Sequence, residues 1–377
     1  STVHPYTRCL ICHWEGSMML TLQKGIDPKT NEIVWVMLDE DYQLLEPIQR
    51  YLTYLSTSKS PNTVEAYAYD LKSWWEFIEL KSLDWREVQL DDVTNFAHWL
   101  RIGDTAKVVS MQPVQAIRSE KTVNRAITAI TGFYEYHIAN KTVDFKQFDR
   151  FHLPYGLGTK GLLTGIAKSK PIRQKLVKLK EPKSFPGCLT DDQIYALVNA
   201  CHRLRDKLII LMLNGTGMRK GELLGLCHED IGDGSDNYIR VVKRNNPNGA
   251  RVKGQERTIP VVPDLLKMYN DYLIHEYPES VSDYVFVNIW EGTIGMPMNP
   301  NVLNMMFNRL GKKTDIHFYP HLLRHTYATR LIRAGCSPDR LKYLMGHTSI
   351  KTTLDTYCHV FEESDLRQVI EKEEAVK

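Results

Sequence analysis

Six side chains in the second half of this chain have the types and order needed to make and break a phosphate ester. Arg219 lies in Thr216-Gly-Met-Arg-Lys-Gly-Glu-Leu-Leu224, and His321 and Arg324 form a His-x-x-Arg pair. Gly346-His347 follows, with Tyr357 ten residues past that histidine, and Lys253 sits in Arg251-Val-Lys-Gly-Gln-Glu-Arg257. A phosphodiester under attack gathers negative charge on its non-bridging oxygens. An arginine fork donates to two such oxygens and stays protonated, so Arg219 and Arg324 suit a clamp. A leaving 5′ oxygen needs a proton, which Lys253 can deliver as general acid; Lys243, at the other end of the same hairpin, is the alternative. A tyrosine oxygen forms a stable phosphate ester without a metal, which makes Tyr357 the candidate nucleophile. His321 is expected to assist its deprotonation and His347 to hydrogen-bond the phosphate. The set calls for no metal and no nucleotide cofactor.

Taken singly, each residue has an ordinary reading. A lone arginine before Lys-Gly-Glu is a surface helix charge, His-x-x-Arg an exposed pair, and a late tyrosine a core aromatic. The ordered set is what carries chemistry. His321 and Arg324 are three apart and so share a helix face. Pro320 puts them on the first turn, where free backbone N–H groups and the positive dipole end favour an anion. Leu323, Tyr327 and Leu331 form the apolar stripe that anchors that helix, and Gly335 stops it. Gly346 is expected to end the next helix and leave His347 at its exposed tip, ahead of Thr348, Thr352 and Thr353.

The elements that position these residues follow from periodicity. Residues 18–40 alternate around Asp27-Pro-Lys-Thr-Asn31, which predicts a β-hairpin. Helical spacing begins near Pro47 with Ile48, Tyr51, Leu52 and Leu55. Ser60-Pro-Asn-Thr63 then starts a helix carrying Tyr67, Leu71, Trp74, Trp75 and Ile78. Further helices are predicted over 90–101 and 119–138, so residues 45–140 read as a compact helical bundle. A second domain begins near Thr190-Asp-Asp-Gln193, contains a buried helix at Ile209–Leu213, and has strands at 238–242 and 257–262. Helices follow at 301–311, 321–334 and 338–345, with a polar helix near 362–374. The fold class is mainly α and multi-domain: a helical N-terminal domain and a mostly helical C-terminal domain with a small antiparallel sheet.

Bulk properties set limits. A chain of 377 residues with 43% hydrophobic content can bury more than one core. The net charge of +3 is too small to announce a nucleic-acid binder. The basic run Lys168, Lys170, Arg173, Lys175, Lys178, Lys180 and Lys183 could still lie against phosphates. Seven scattered cysteines, an odd number, suggest a reduced, intracellular chain, and no apolar run is long enough to span a bilayer. The first residues lack the form of a secretory signal. Cys9-Leu-Ile-Cys12-His13, with His4 nearby, could begin a zinc site but lacks a second ligand pair, so free thiols are the plainer reading.

The segments Thr216–Leu224, Pro320-His-Leu-Leu-Arg-His-Thr-Tyr-Ala-Thr329 and Leu344-Met-Gly-His-Thr-Ser-Ile-Lys-Thr-Thr-Leu-Asp-Thr-Tyr357 resemble the signature of tyrosine recombinases, the phage integrase family. The likeness covers roughly residues 45–370, and Ser60-Pro-Asn-Thr-Val-Glu-Ala-Tyr67 is similar to the family's SAM-like core-binding domain. It implies an N-terminal arm with a hairpin over 1–44 and a DNA-binding domain over 45–160. A basic linker over 161–184 and a catalytic domain with a tail helix over 185–377 would follow. By resemblance Arg219, Lys253, His321, Arg324, His347 and Tyr357 are the catalytic residues, and Glu222 supports the pocket. The family further implies double-stranded DNA held in a C-shaped clamp, a 3′-phosphotyrosine at Tyr357 and strand exchange through a Holliday junction. A dimer would occupy each site and a tetramer the synapsis, with accessory recombination proteins as further partners. The tail helix resembles one that docks on a neighbouring subunit. The extended arm and long hairpin are closer to mobile-element transposases than to chromosome-dimer resolvases. That implies integration and excision of a mobile element in the bacterial cytoplasm, with no membrane involved. A type IB topoisomerase shares the chemistry, and a non-catalytic DNA-binding accessory factor shares the fold; both stay open at this level.

Overall fold

The computed structural model describes residues 20–28, 33–103, 116–143, 177–181, 187–232, 236–279, 282–290, 293–357 and 360–361. The candidate zinc ligands His4, Cys9, Cys12 and His13, most of the basic run and the polar helix near 362–374 lie outside the described residues. The chain forms two compact units that meet in sequence between Lys183 and Ser184.

In the first unit, β1 (Thr21–Ile26) pairs antiparallel with β2 (Ile33–Leu38), in register from Thr21 opposite Leu38 to Ile26 opposite Ile33. Strand alternation turns Trp35 and Met37 inward, and these seat the hairpin on the helices. Those helices are α1 (Glu46–Ser56), α2 (Pro61–Leu80), α3 (Leu90–Ile102) and α4 (Glu120–Ala139). Each starts where its sequence offers a stop to preceding chain: Pro47 and Pro61 sit in first turns, and the Ser119 hydroxyl accepts from the Thr122 N–H. Trp74, Phe77, Phe96, Phe133 and Tyr134 form the buried centre, with edge-to-face rings such as Trp74–Phe96 at 5.0 Å. A buried charge is held within this bundle: Asp70 accepts two 2.9 Å bonds from Arg125.

The second unit is organised on α6 (Leu204–Thr216). Leu208, Ile209, Ile210, Met212 and Leu213 are fully buried, so this helix is apolar on nearly every side and must be surrounded. α5 (Asp191–Ala200) precedes it and begins with a reciprocal cap, Thr190 Oγ1 accepting from Gln193 N and Gln193 Oε1 from Thr190 N. After α6 come the short α7 (Lys220–Leu224) and the antiparallel strands β3 (Tyr238–Val241) and β4 (Arg257–Pro260), paired from Tyr238 opposite Pro260 to Val241 opposite Arg257. Then follow α8 (Pro263–His275), α9 (Pro300–Thr314), α10 (Pro320–Arg333) and α11 (Pro338–Met345). α8 and α10 both pack on α6. Residues 350–357 are helical. Among the described residues no helix is long and apolar enough to cross a membrane.

Candidate active site

All six candidate residues lie in the second unit, and α6 contacts both α7, where Arg219 sits at the start, and α10, which carries His321 and Arg324. At the end of α6 Gly217 takes a left-handed φ of +62°, and a Cβ there would lie 2.3 Å from the Tyr327 ring of α10. Only glycine fits both the turn and this approach. The turn aims the Gly217 carbonyl at α10, where Arg324 donates to it through Nη1, while Nη2 donates to the carbonyl of Met345 at the end of α11. Arg324 thus ties three segments together. Two of its five N–H donors are used on these carbonyls.

Buried Met218 anchors the next residue, Arg219, at the start of α7. Glu222, whose side chain is 0% exposed, holds Arg219 from both ends: it accepts from the Arg219 backbone N–H at 3.0 Å and from Nη1 at 2.9 Å. Its second guanidinium partner is Arg257, at 2.8 Å, a fully buried side chain that also donates to the Leu344 carbonyl at 2.7 Å. Burial would raise the Glu222 pKa, but the hydrogen bond and charge of Arg257, the Arg219 N–H and the charge of Arg324 together hold it below the usual carboxylate range. One carboxylate therefore faces three arginines, and the pocket keeps a surplus of positive charge.

That surplus is visible in the neighbouring groups. Burial and the charge of Arg219 lower the pKa of Arg324 to about 9, still protonated at neutral pH. His321 keeps an exposed edge on the first turn of α10. Partial desolvation and the charges of Arg324, Arg219, Lys220 and Lys253 lower its pKa. Burial, then Arg324, Arg219 and Arg257, lower His347 to about 4. The same cations therefore oppose protonation of both imidazoles.

His347 departs from its expected setting. It is 9% exposed rather than standing at an open helix tip, because Gly346, at φ +61°, turns the chain inward and Thr353 Oγ1 meets His347 Nδ1 at 2.8 Å. Thr353 is itself fully buried and four residues before Tyr357, so one helical face carries the anchor of His347 and the phenol. The Tyr357 ring, 2% exposed, packs with Ala328, Ile332, Leu341, Met345 and Val360. Its hydroxyl meets His325 Nδ1 at 2.8 Å. Burial pushes its pKa up to about 12, opposed by the charges of Arg324 and Arg219.

The lysines are distinguished by their neighbours. A Cβ on Gly254 would stand 2.4 Å from the Gly346 carbonyl oxygen and 2.7 Å from Arg219 Nη1, so the backbone beside Lys253 runs directly against the pocket. Lys253 is also among the cations acting on His321. At Lys243 the backbone N–H is held by the Glu256 carboxylate at 2.7 Å.

Two residues of this site were not singled out from sequence. In sequence Arg257 reads only as strand, although a charged residue on the inward face of a strand is itself a signal. His325 follows Arg324 directly and stands four residues after His321, a spacing that puts both rings on one side of α10. It is His325, not His321, that meets the phenol.

Guanidinium groups thus gather near a phenol hydrogen-bonded to an imidazole, an arrangement suited to phosphoryl transfer to a tyrosine. Residues 188–364 match the phage integrase family, and residues 48–141 match its N-terminal SAM-like domain. Transposase A from transposon Tn554 of Staphylococcus aureus is 36% identical over 351 residues, 91% of this chain and 96% of that protein. Tyrosine recombinase XerD of Halalkalibacterium halodurans is 25% identical, over 83% of this chain and 92% of its own length. The solved structure of the Tn1549 transposon integrase with circular intermediate DNA aligns over 86% of this chain and 98% of that chain, at a TM-score of 0.58 and 22% identity. A lambda integrase dimer bound to a core site aligns over 81% of this chain and 96% of its own, at a TM-score of 0.53 and 17% identity. The chain belongs to the phage integrase family.

Proposed function

We propose that the chain is a site-specific DNA recombinase that moves a mobile element, cutting and rejoining strands through a 3′-phosphotyrosine at Tyr357. One observation supports this reading most: the charges of Arg324 and Arg219 act on the Tyr357 phenol, and the buried Glu222 carboxylate offsets the arginine cluster. The Tyr357 oxygen attacks phosphorus, and Arg219 and Arg324 donate to the non-bridging oxygens as their charge grows. His347 hydrogen-bonds the same phosphate. The 5′ oxygen leaves with a proton from Lys253. Attack by the 5′ hydroxyl of another strand reverses the steps and completes exchange.

Residues 185–377 serve as the catalytic domain, 45–160 as a DNA-binding domain, 161–184 as the basic linker and 1–44 as an arm. The partner is double-stranded DNA, with a dimer on each site and a tetramer in synapsis, inside the cell. Likeness to Tn554 transposase A over nearly its whole length supports transposition as the task. The test uses tiled, nicked duplexes drawn from the DNA on either side of the chain's own gene. One of them should trap a covalent protein–DNA band, and Tyr357→Phe should trap none. A band that survives Tyr357→Phe rules out this nucleophile.

A further inference from the structure

The base that activates the nucleophile is open to assignment from geometry. His325 Nδ1 lies 2.8 Å from the Tyr357 hydroxyl, and the two rings are tilted at 58° with centroids 5.6 Å apart. Helix α10 carries Arg324 and His325 as neighbours. The residue that ties the pocket together and the one that touches the phenol are therefore positioned by the same backbone.

The protonation states leave Nδ1 able to accept from the phenol when the imidazole proton sits on Nε2. Burial, with His321 and Arg324 nearby, lowers His325 to about 4, so its ring is neutral and carries one lone pair. The phenol holds its proton. The groups facing the pair are His321 and Arg324 around the imidazole and Arg324, Arg219 and Cys188 around the phenol. A phenol donating to Nδ1 leaves the imidazole proton on Nε2. A phosphodiester entering the pocket brings negative charge that offsets these cations and makes the imidazole a stronger base.

We propose that His325 is a catalytic residue: its Nδ1 takes the Tyr357 proton as the phenol oxygen attacks phosphorus. The phenolic O–H breaks, and N–H and O–P bonds form. The P–O5′ bond breaks, and its oxygen takes a proton from Lys253. On rejoining, the imidazolium returns its proton to the departing Tyr357 oxygen. The inference rests on Tyr357 being the nucleophile, and it assigns to His325 the role that sequence alone had given to His321.

The test uses the duplex trapped by the unmodified chain, with variants His325→Gln, His325→Ala and His321→Ala. Glutamine can accept the phenol's hydrogen bond but cannot take up its proton. Both His325 variants should bind the duplex within a few-fold of the unmodified chain and cleave it about 10²–10³-fold more slowly at neutral pH. That deficit should shrink as pH rises, and shrink again when Tyr357 is replaced by a fluorinated tyrosine that ionises more readily. The His321→Ala deficit should do neither. A His325→Gln rate within a few-fold of the original, or a deficit indifferent to both pH and fluorination, overturns the proposal. ¹⁵N NMR of the intact chain gives an independent reading that needs no variant. The neutral Nε2–H form of His325 is expected, and an Nδ1–H form, unable to accept, overturns it. If adduct formation is lost in Tyr357→Phe but unchanged in the His325 variants, only this inference fails. If Tyr357→Phe still forms the adduct, or no duplex is trapped at all, the recombinase reading falls first.

Discussion

Glu222→Gln tests the electrostatic frame of the site. The Glu222 carboxylate is fully buried and accepts from Arg219 N, Arg219 Nη1 and Arg257 Nη2 at 3.0, 2.9 and 2.8 Å. Glutamine keeps the shape, removes the charge and turns one oxygen into an amide donor facing other donors. Removing one partner of a buried ion pair costs about 3–5 kcal/mol. The Arg219 side chain is 22% exposed and water can take up part of its loss, so the lower end, about 3 kcal/mol, is expected. For a unit of this size each kcal/mol moves Tm by about 2–4 °C, giving a fall of roughly 6–12 °C. Differential scanning calorimetry of the full chain reads this directly. The pH dependence adds a sign. Glu222 has a folded pKa below its ordinary 4.5, so its contribution is complete above that value and is lost as pH falls through the lower folded pKa. The gap between variant and original should therefore be widest above about pH 4.5 and close in acid. A drop under about 2 °C at neutral pH, less than 1 kcal/mol, would refute the view that this carboxylate balances the arginine cluster.

Arg324→Lys should cut adduct formation about 10²–10³-fold in a quenched time course, since a point cation cannot fork across two oxygens; near-normal rates count against the clamp. Stability to denaturant should fall as pH drops from 6.5 towards 4. In that window the unfolded histidines bind protons while His325 and His347, both lowered to about 4, do not; His347→Gln should flatten the slope, and an unchanged slope argues against its burial. Gly217→Ala should cost at least about 2 kcal/mol in urea unfolding, from a left-handed backbone and a Cβ set against Tyr327; a cost below 0.5 kcal/mol, on the order of a surface change, contradicts the packing. Cleavage should persist in excess EDTA, because guanidinium groups carry the charge; a strict need for magnesium would point elsewhere.

Much of the scaffold is legible because local rules and tertiary structure agree. The alternation before Leu38, Pro61 after Ser60, the Thr190–Gln193 cap and Gly346 mark elements at or near their observed limits. The mainly helical class with small antiparallel sheets follows from the same signals. The candidate site is proposed from Arg219, His321, Arg324, His347 and Tyr357, whose order and spacing carry information that no single residue does. What stays hidden depends on three-dimensional company. His347 is buried because Thr353 reaches it across a turn, which no periodicity encodes. Arg257 reads as a strand residue until Glu222 is seen beside it. His325 is adjacent to a stronger signal, and only the fold shows which of two histidines on α10 meets the phenol.

The central claim is tested most directly by locating the bond. Protein trapped on a nicked duplex is digested with protease, and the nucleotide-bearing peptide is sequenced by mass spectrometry. The expected result is one peptide containing Tyr357, joined through its phenolic oxygen to a DNA 3′ phosphate. A linkage at any other side chain, or strand cleavage with free 3′ ends and no linked peptide at any time point, contradicts it.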